Sequence, residues 1–273
     1  MIELVDSHAH IQEPEFAEDR EAVIEQARAA GVRTIIVPGE NIASSTAALE
    51  LAERYDGVYA TAGFHPHEAA SFTPADIGRL EALLARPKCV AVGEIGLDFF
   101  RMLSPEPAQV ATFEAQLSLA ARLQLPVAVH CRDAWDALAE TLAPWAQRVL
   151  GSYAGRPLGV LHYFSANLAT AQRYCDLGFL ISIHTSVTHP RASELREVAA
   201  ALPLSSLVVE TDSPYGAPQA FRGKRNQPAY VIEAAKQIAA LKGISIEEVA
   251  AAASANAMRL FRLPVSAVSG VAP

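Results

Sequence analysis

The residues of this chain best suited to chemistry are imidazoles and carboxylates that stand directly after short apolar runs. LVDSHAH sets His8 and His10 two positions apart. Side chains at i and i+2 of an extended segment share a face, so both rings can reach one ion. In CVAVGEIGLD, Glu94 follows a buried run between Gly93 and Gly96. A carboxylate in that position is costly unless a cation or hydrogen-bond donors meet it. PVAVH supplies His130, GVLHYF supplies His162, and VVETDSPY supplies Glu210 and Asp212, again two apart. Asp212, further along the chain, is the better candidate of that pair.

His8, His10, Glu94, His130, His162 and Asp212 outnumber the three protein ligands that a catalytic zinc usually takes. The set therefore predicts two divalent ions, with Glu94 as a natural bridge. Two such ions beside two carboxylates leave a cationic pocket, which suits an anionic substrate and transition state. A water activated by metal would attack a phosphorus or carbonyl centre, with Asp212 taking its proton.

The elements that must position these groups alternate from end to end. Apolar, β-rich runs occur near Ile2–Val5, Val32–Val37, Val58–Ala62, Cys89–Val92, Pro126–Val129, Gly159–Leu161, Phe179–Ile183 and Leu207–Val209. Between them lie Ala-, Leu- and Glu-rich stretches such as Phe16–Ala30, Ala43–Tyr55, Pro107–Leu123 and Glu194–Ala201. Strands that alternate with helices predict an α/β fold with a parallel sheet, and eight is the number that closes a (β/α)8 TIM barrel. Pattern alone leaves a doubly wound open sheet as the rival. A single domain over residues 1–263 is expected, followed by a flexible tail over 264–273. His65, His67, His184 and His189 also follow predicted strands, so all eight histidines fall at strand ends, where barrel enzymes carry their catalytic groups.

Substrate contacts are read from two segments. His65 in GFHPH is a candidate for meeting a phosphate oxygen or assisting the leaving group. FRGKRN, after the eighth strand, holds Arg222, Lys224 and Arg225, in the region where barrels recurrently bind phosphate. RGK is not a P-loop, because Arg225 stands where Ser or Thr is required. Arg132 and Asp133, beside His130, are expected to orient that ligand. Cys131 should point away from it and be inert. GxSxG, HExxH and GxGxxG are all missing.

A net charge of −8 argues against broad duplex binding, although a short strand held by a local cationic site fits. Three widely spaced cysteines favour reduced thiols. No signal-peptide pattern or membrane-length apolar run is visible, so the cytoplasm is the expected location and no membrane or obligate protein partner is expected.

The series VDSHAH, GFHP, VGEIGLDF, PVAVHCRDA, LHYFS, VETDSPY and RGKRNQP resembles the TatD family of metal-dependent hydrolases over nearly the whole chain. The resemblance implies an amidohydrolase-like (β/α)8 barrel, with one metal on His8, His10 and Asp212 and a second on His130 and His162, bridged by Glu94. It further implies a 3′–5′ exodeoxyribonuclease acting on single-stranded DNA or short oligonucleotides. The alternative on the same site is an ester, lactone or amide hydrolase, including one that deacylates mischarged tRNA. Imidazole and carboxylate ligands suit Zn, Mn, Fe or Ni, and Mg less well. The sequence departs from the family pattern at Tyr163, in HYF where HCF is common, at Phe99, and in SIHTSVTHPR after the seventh strand. These departures bear on substrate more than on chemistry.

Overall fold

The computed structural model describes residues 2–264, so the expected tail lies, from residue 265 on, outside the described residues. Eight strands, β1 (Leu4–Asp6), β2 (Val32–Val37), β3 (Val58–Ala62), β4 (Cys89–Asp98), β5 (Val127–Arg132), β6 (Gly159–Leu161), β7 (Phe179–His184) and β8 (Leu207–Glu210), follow in chain order in one sheet with helices between them. This is the (β/α)8 architecture. No described helix is long and apolar enough to cross a membrane.

Two compact units make up the chain. The first comprises residues up to Val37, Tyr163–Gln172 and residues from Ile181 onward. Within it β1 pairs in parallel with β2, and β7 with β8. The first and last strands also meet. Ser7 N–H donates to Val209 O at 3.1 Å, Asp212 N–H to His8 O at 2.9 Å, and His10 N–H to Ser213 O at 2.7 Å. The side chains of Leu4, Val5, Ile35, Ile36, Val37, Val208 and Val209 are buried, and each such burial contributes about 1.5–3 kcal/mol. Outside the strands, Ser245 caps the helix Ile246–Phe261. Its hydroxyl accepts from Glu248 N–H at 3.2 Å, and the Glu248 carboxylate accepts from Ser245 N–H at 2.9 Å.

The second unit comprises Pro38–His162 and Arg173–Leu180. Here β3 pairs with β4, β4 with β5, and β5 with β6, all in parallel. β4 is longer than its apolar run, because the chain passes through Gly93 and Gly96 with a register shift rather than leaving the sheet. Gly96, at φ +140°, lies opposite His130. A Cβ there would stand 2.0 Å from the His130 carbonyl oxygen, so only glycine allows this approach. The helix Glu106–Leu123 then steadies two loops with buried amides two turns apart. Gln116 accepts from Phe64 N–H at 2.7 Å and donates to Phe64 O at 3.0 Å, next to His65. Gln109 accepts from Asp98 N–H at 2.8 Å and donates to Asp98 O at 3.0 Å.

Candidate metal centre

Each unit gathers its own imidazoles around a carboxylate. In the first unit, His8 and His10 leave the end of β1 and Asp212 leaves the end of β8. His8 Nε2 lies 3.1 Å from His10 Nε2, and Asp212 Oδ1 lies 3.3 Å from His10 Nε2 and 3.9 Å from His8 Nε2. All three residues are largely withdrawn from solvent. Asp212 takes a positive φ of 56°, which turns its side chain back toward the histidines. Glu210, by contrast, spends its buried carboxylate on Tyr163 N–H at 2.6 Å. Of the VETD pair, Asp212 is therefore the one placed with the histidines.

These spacings fit a divalent ion. Bonds of about 2.0–2.1 Å at tetrahedral angles set ligand atoms about 3.4 Å apart. Two nitrogens and one oxygen at 3.1, 3.3 and 3.9 Å bracket that value. Two imidazole nitrogens that face each other at 3.1 Å also need a cation or a proton between them.

Asp6, at the end of β1, holds this group from behind. Its fully buried carboxyl accepts from Thr211 N–H at 2.9 Å, from the Thr211 hydroxyl at 2.6 Å and from His8 N–H at 3.4 Å. Burial pushes Asp6 up to about 8, against the hydrogen bonds from Thr211 and His8, with nearby Glu210 adding to the rise.

In the second unit, three rings converge on one oxygen of the buried Glu94. His130 Nδ1 lies 3.0 Å from Glu94 Oε1, His65 Nε2 lies 3.4 Å away, and His162 Nε2 lies 3.6 Å away. Burial lowers His65 to about 4, outweighing the pull of Glu94, so this imidazole is neutral at pH 7. For His130 burial acts downward, but the hydrogen bonds to Asp98 and Glu94 and the charge of Glu94 outweigh it and raise it. Glu94 thus favours positive charge at both rings, an effect that outweighs burial at His130, with the help of Asp98, and not at His65.

Two further residues are part of this cluster: His67, one of the strand-end histidines, and Asp98, which no apolar run points to. His67 Nε2 lies 2.9 Å from Asp98 Oδ2, and His130 Nε2 lies 3.3 Å from the same atom. Burial opposes the Asp98 charge, yet the hydrogen bonds from His130, Arg101 N–H and His67 hold its carboxyl well below the usual carboxylate range. The signal was present: Glu94 and Asp98 are four apart on one strand and so share a face. Arg132, expected to orient His130, instead lays its guanidinium over the ring of Phe100, 3.8 Å from the centroid. No contact of Asp133 with His130 accompanies it among the hydrogen bonds described. The carboxylate that meets Nε2 of the His130 ring is that of Asp98.

The remaining expected residues fall as follows. Arg225 forms a two-pronged pair with Asp19, at 2.9 and 2.6 Å, and lies over the Phe16 ring, while Arg222 and Lys224 are exposed. His184 stacks on Tyr163 with centroids 3.7 Å apart, so two departures from the family pattern meet in one contact. Ring nitrogen Nε2 of His189 bonds to Ala217 O at 2.8 Å. Cys89 and Cys131 are buried; burial pushes the Cys89 thiol up to about 12 and Cys131 up as well, which leaves both unreactive at neutral pH.

The family model for TatD related DNase matches residues 5–262. The chain is 37% identical over 260 residues to an uncharacterised metal-dependent hydrolase, YabD, of Bacillus subtilis, covering 95% of this chain and 99% of that protein. It is 37% identical over 270 residues to the 3′–5′ ssDNA/RNA exonuclease TatD of Klebsiella pneumoniae, covering 97% of this chain and all of that protein. Among solved structures, a TatD homologue of Escherichia coli superposes with a TM-score of 0.86 at 36% identity, over 96% of this chain and 98% of that one.

Proposed function

The chain belongs to the TatD family of metal-dependent hydrolases, and from that premise we propose that it is a 3′–5′ exonuclease of single-stranded DNA or short oligonucleotides that uses two divalent ions. The observation that carries this reading is the convergence of His8, His10 and Asp212 at ligand spacing. His8, His10 and Asp212 would hold one ion, and Glu94, His130 and His162 the other. When bound, such ions lower the pKa of water and neutralise charge on phosphate oxygens. Asp212 accepts a proton from the attacking water while it orients that water. Neutral His65, beside Glu94, donates a hydrogen bond to a phosphate oxygen or to the leaving oxygen. Arg222 and Lys224 meet backbone phosphates, and Arg225 braces their loop through Asp19. The cytoplasm remains the proposed location.

A second reading keeps the site and changes the bond to an ester, lactone or amide, as in a deacylase of mischarged tRNA. The engagement of Arg225 by Asp19 favours it, since one of three cations expected to face phosphate is already paired.

The test is hydrolysis of 5′-labelled single-stranded DNA, which keeps the shortened strand visible, by enzyme stripped of metal and then supplied with Mg, Mn or Zn. Stepwise loss of 3′ nucleotides, restored by metal and absent in His10→Ala and Asp212→Asn, is the expected result. No cleavage by a protein that still binds two ions per chain would shift the activity to esters, lactones and acylated tRNA.

A further inference from the structure

Asp98 sits 1% exposed at the end of β4, and its carboxylate meets groups of one kind only. Its Oδ1 accepts from Phe100 N–H at 3.0 Å and Arg101 N–H at 2.7 Å. Its Oδ2 faces His67 Nε2 at 2.9 Å and His130 Nε2 at 3.3 Å. A carboxylate can only accept, so both ring nitrogens must carry hydrogen. A neutral His130 then has its lone pair on Nδ1, which lies 3.0 Å from Glu94 Oε1. Two lone pairs at that distance repel each other unless a proton or a metal ion joins them.

We propose that Asp98 is a positioning residue that fixes the tautomer of His130, so that Nδ1 is the atom offered to a divalent ion beside Glu94. His67 is its second anchor: by sharing Oδ2 from the loop after β3, it holds the carboxylate in line with the His130 ring. Ligating imidazoles generally give their other N–H to a carboxylate or carbonyl, and losing that partner typically costs roughly 10–100-fold in metal affinity. The inference rests on reading Glu94 and His130 as ligands and adds the residue that aims one of them.

Asp98→Asn is the discriminating variant because it keeps shape and reverses hydrogen-bond sense. Its amide oxygen stays with the two N–H groups of the Phe100–Arg101 turn, which turns the NH2 toward the rings. A ring that meets NH2 must present a lone pair at Nε2, which puts its proton on Nδ1, where the ion would bind. Two measurements read this out. Nitrogen-15 shifts of His130 should show Nε2–H in the wild type and Nδ1–H in Asp98→Asn. Calorimetric titration with Zn or Mn should show one ion weakened roughly 10–100-fold, with the ion on His8, His10 and Asp212 unchanged.

Wild-type His130 with its only proton on Nδ1 overturns the proposal without any variant, so it stays testable even if Asp98→Asn fails to fold. Wild-type affinity for both ions in a folded Asp98→Asn overturns it too. A wild type that binds no ion beside Glu94 defeats the metal reading instead, and the Nε2–H signal still decides whether Asp98 holds the ring.

Discussion

The two units hold their imidazoles by different means, although each uses a buried aspartate at the end of a strand. Asp6 grips backbone: the N–H groups of Thr211 and His8, with the Thr211 hydroxyl beside them. It fixes where the ligand-bearing segments run, and leaves the rings to orient against Asp212. Asp98 grips rings, with His67 and His130 on one oxygen. It fixes which nitrogen of a ligand is available. Backbone N–H groups can only donate, so the first arrangement needs an oxygen but no particular charge. An imidazole can exchange donor for acceptor, so the second arrangement is sensitive to the chemistry of its partner.

The largest effects should come from the ligands themselves, and they test whether the units hold separate ions. His10→Ala and His130→Ala are each expected to lose one of two bound ions by elemental analysis, and not the same one. Loss of both ions in either variant would merge the two sites into one. Asp212→Asn should keep much of its metal while turnover falls on the order of 10²–10⁴-fold, the usual contribution of a positioned proton acceptor. Full activity in that variant removes the proton-accepting role from Asp212.

The next prediction sets the two aspartates against each other. In Asp6→Asn the amide oxygen can serve Thr211 and His8 N–H, and the NH2 can donate to the Thr211 hydroxyl, which accepts as readily as it donates. Both ions should remain bound, with stability changed by no more than one ordinary hydrogen bond, about 0.5–1.5 kcal/mol. Thermal melting with and without metal measures it. If Asp6→Asn lost ion affinity as Asp98→Asn is expected to, the distinction between gripping backbone and gripping rings would collapse.

Much of this organisation was legible in the sequence, because strand ends are marked locally. Val32–Val37, Val58–Ala62 and Gly159–Leu161 are strands with the bounds the apolar runs give. The six expected ligands fall into two groups of three, one in each unit, and each of the six comes soon after the end of an apolar run that the sequence marks. What was not legible depends on geometry that the pattern disguises. Gly93 and Gly96 read as the start of a loop, yet they carry β4 on to Asp98, which is why that carboxylate was not counted with Glu94. Nothing local reveals that Arg225 pairs with Asp19, 206 residues away in sequence. Nor does the pattern reveal that His184 stacks on Tyr163 or that His189 bonds to Ala217 O.

The smallest expected effect concerns that Arg225 pair, and it tests whether the first unit also carries substrate contacts. Hydrogen bonds from Arg225 hold the Asp19 carboxyl below its ordinary value. A depressed acid stabilises the fold above its unfolded pKa of about 3.9 and loses that contribution as pH falls through its folded value. Both side chains are partly exposed, at 31% and 46%, so screening keeps the energy small. Asp19→Ala should lower the melting temperature by less than roughly 2 °C at pH 7, and by less still near pH 3. Its effect on substrate is the sharper readout. If Arg225 braces the loop, Asp19→Ala raises KM for single-stranded DNA through disorder of Arg222 and Lys224. If Arg225 is itself the missing phosphate ligand, releasing it lowers KM and steepens the salt dependence by about one phosphate contact. No change in KM or salt dependence would detach the FRGKRN loop from the substrate, and would favour a small ester or amide over a nucleic-acid strand.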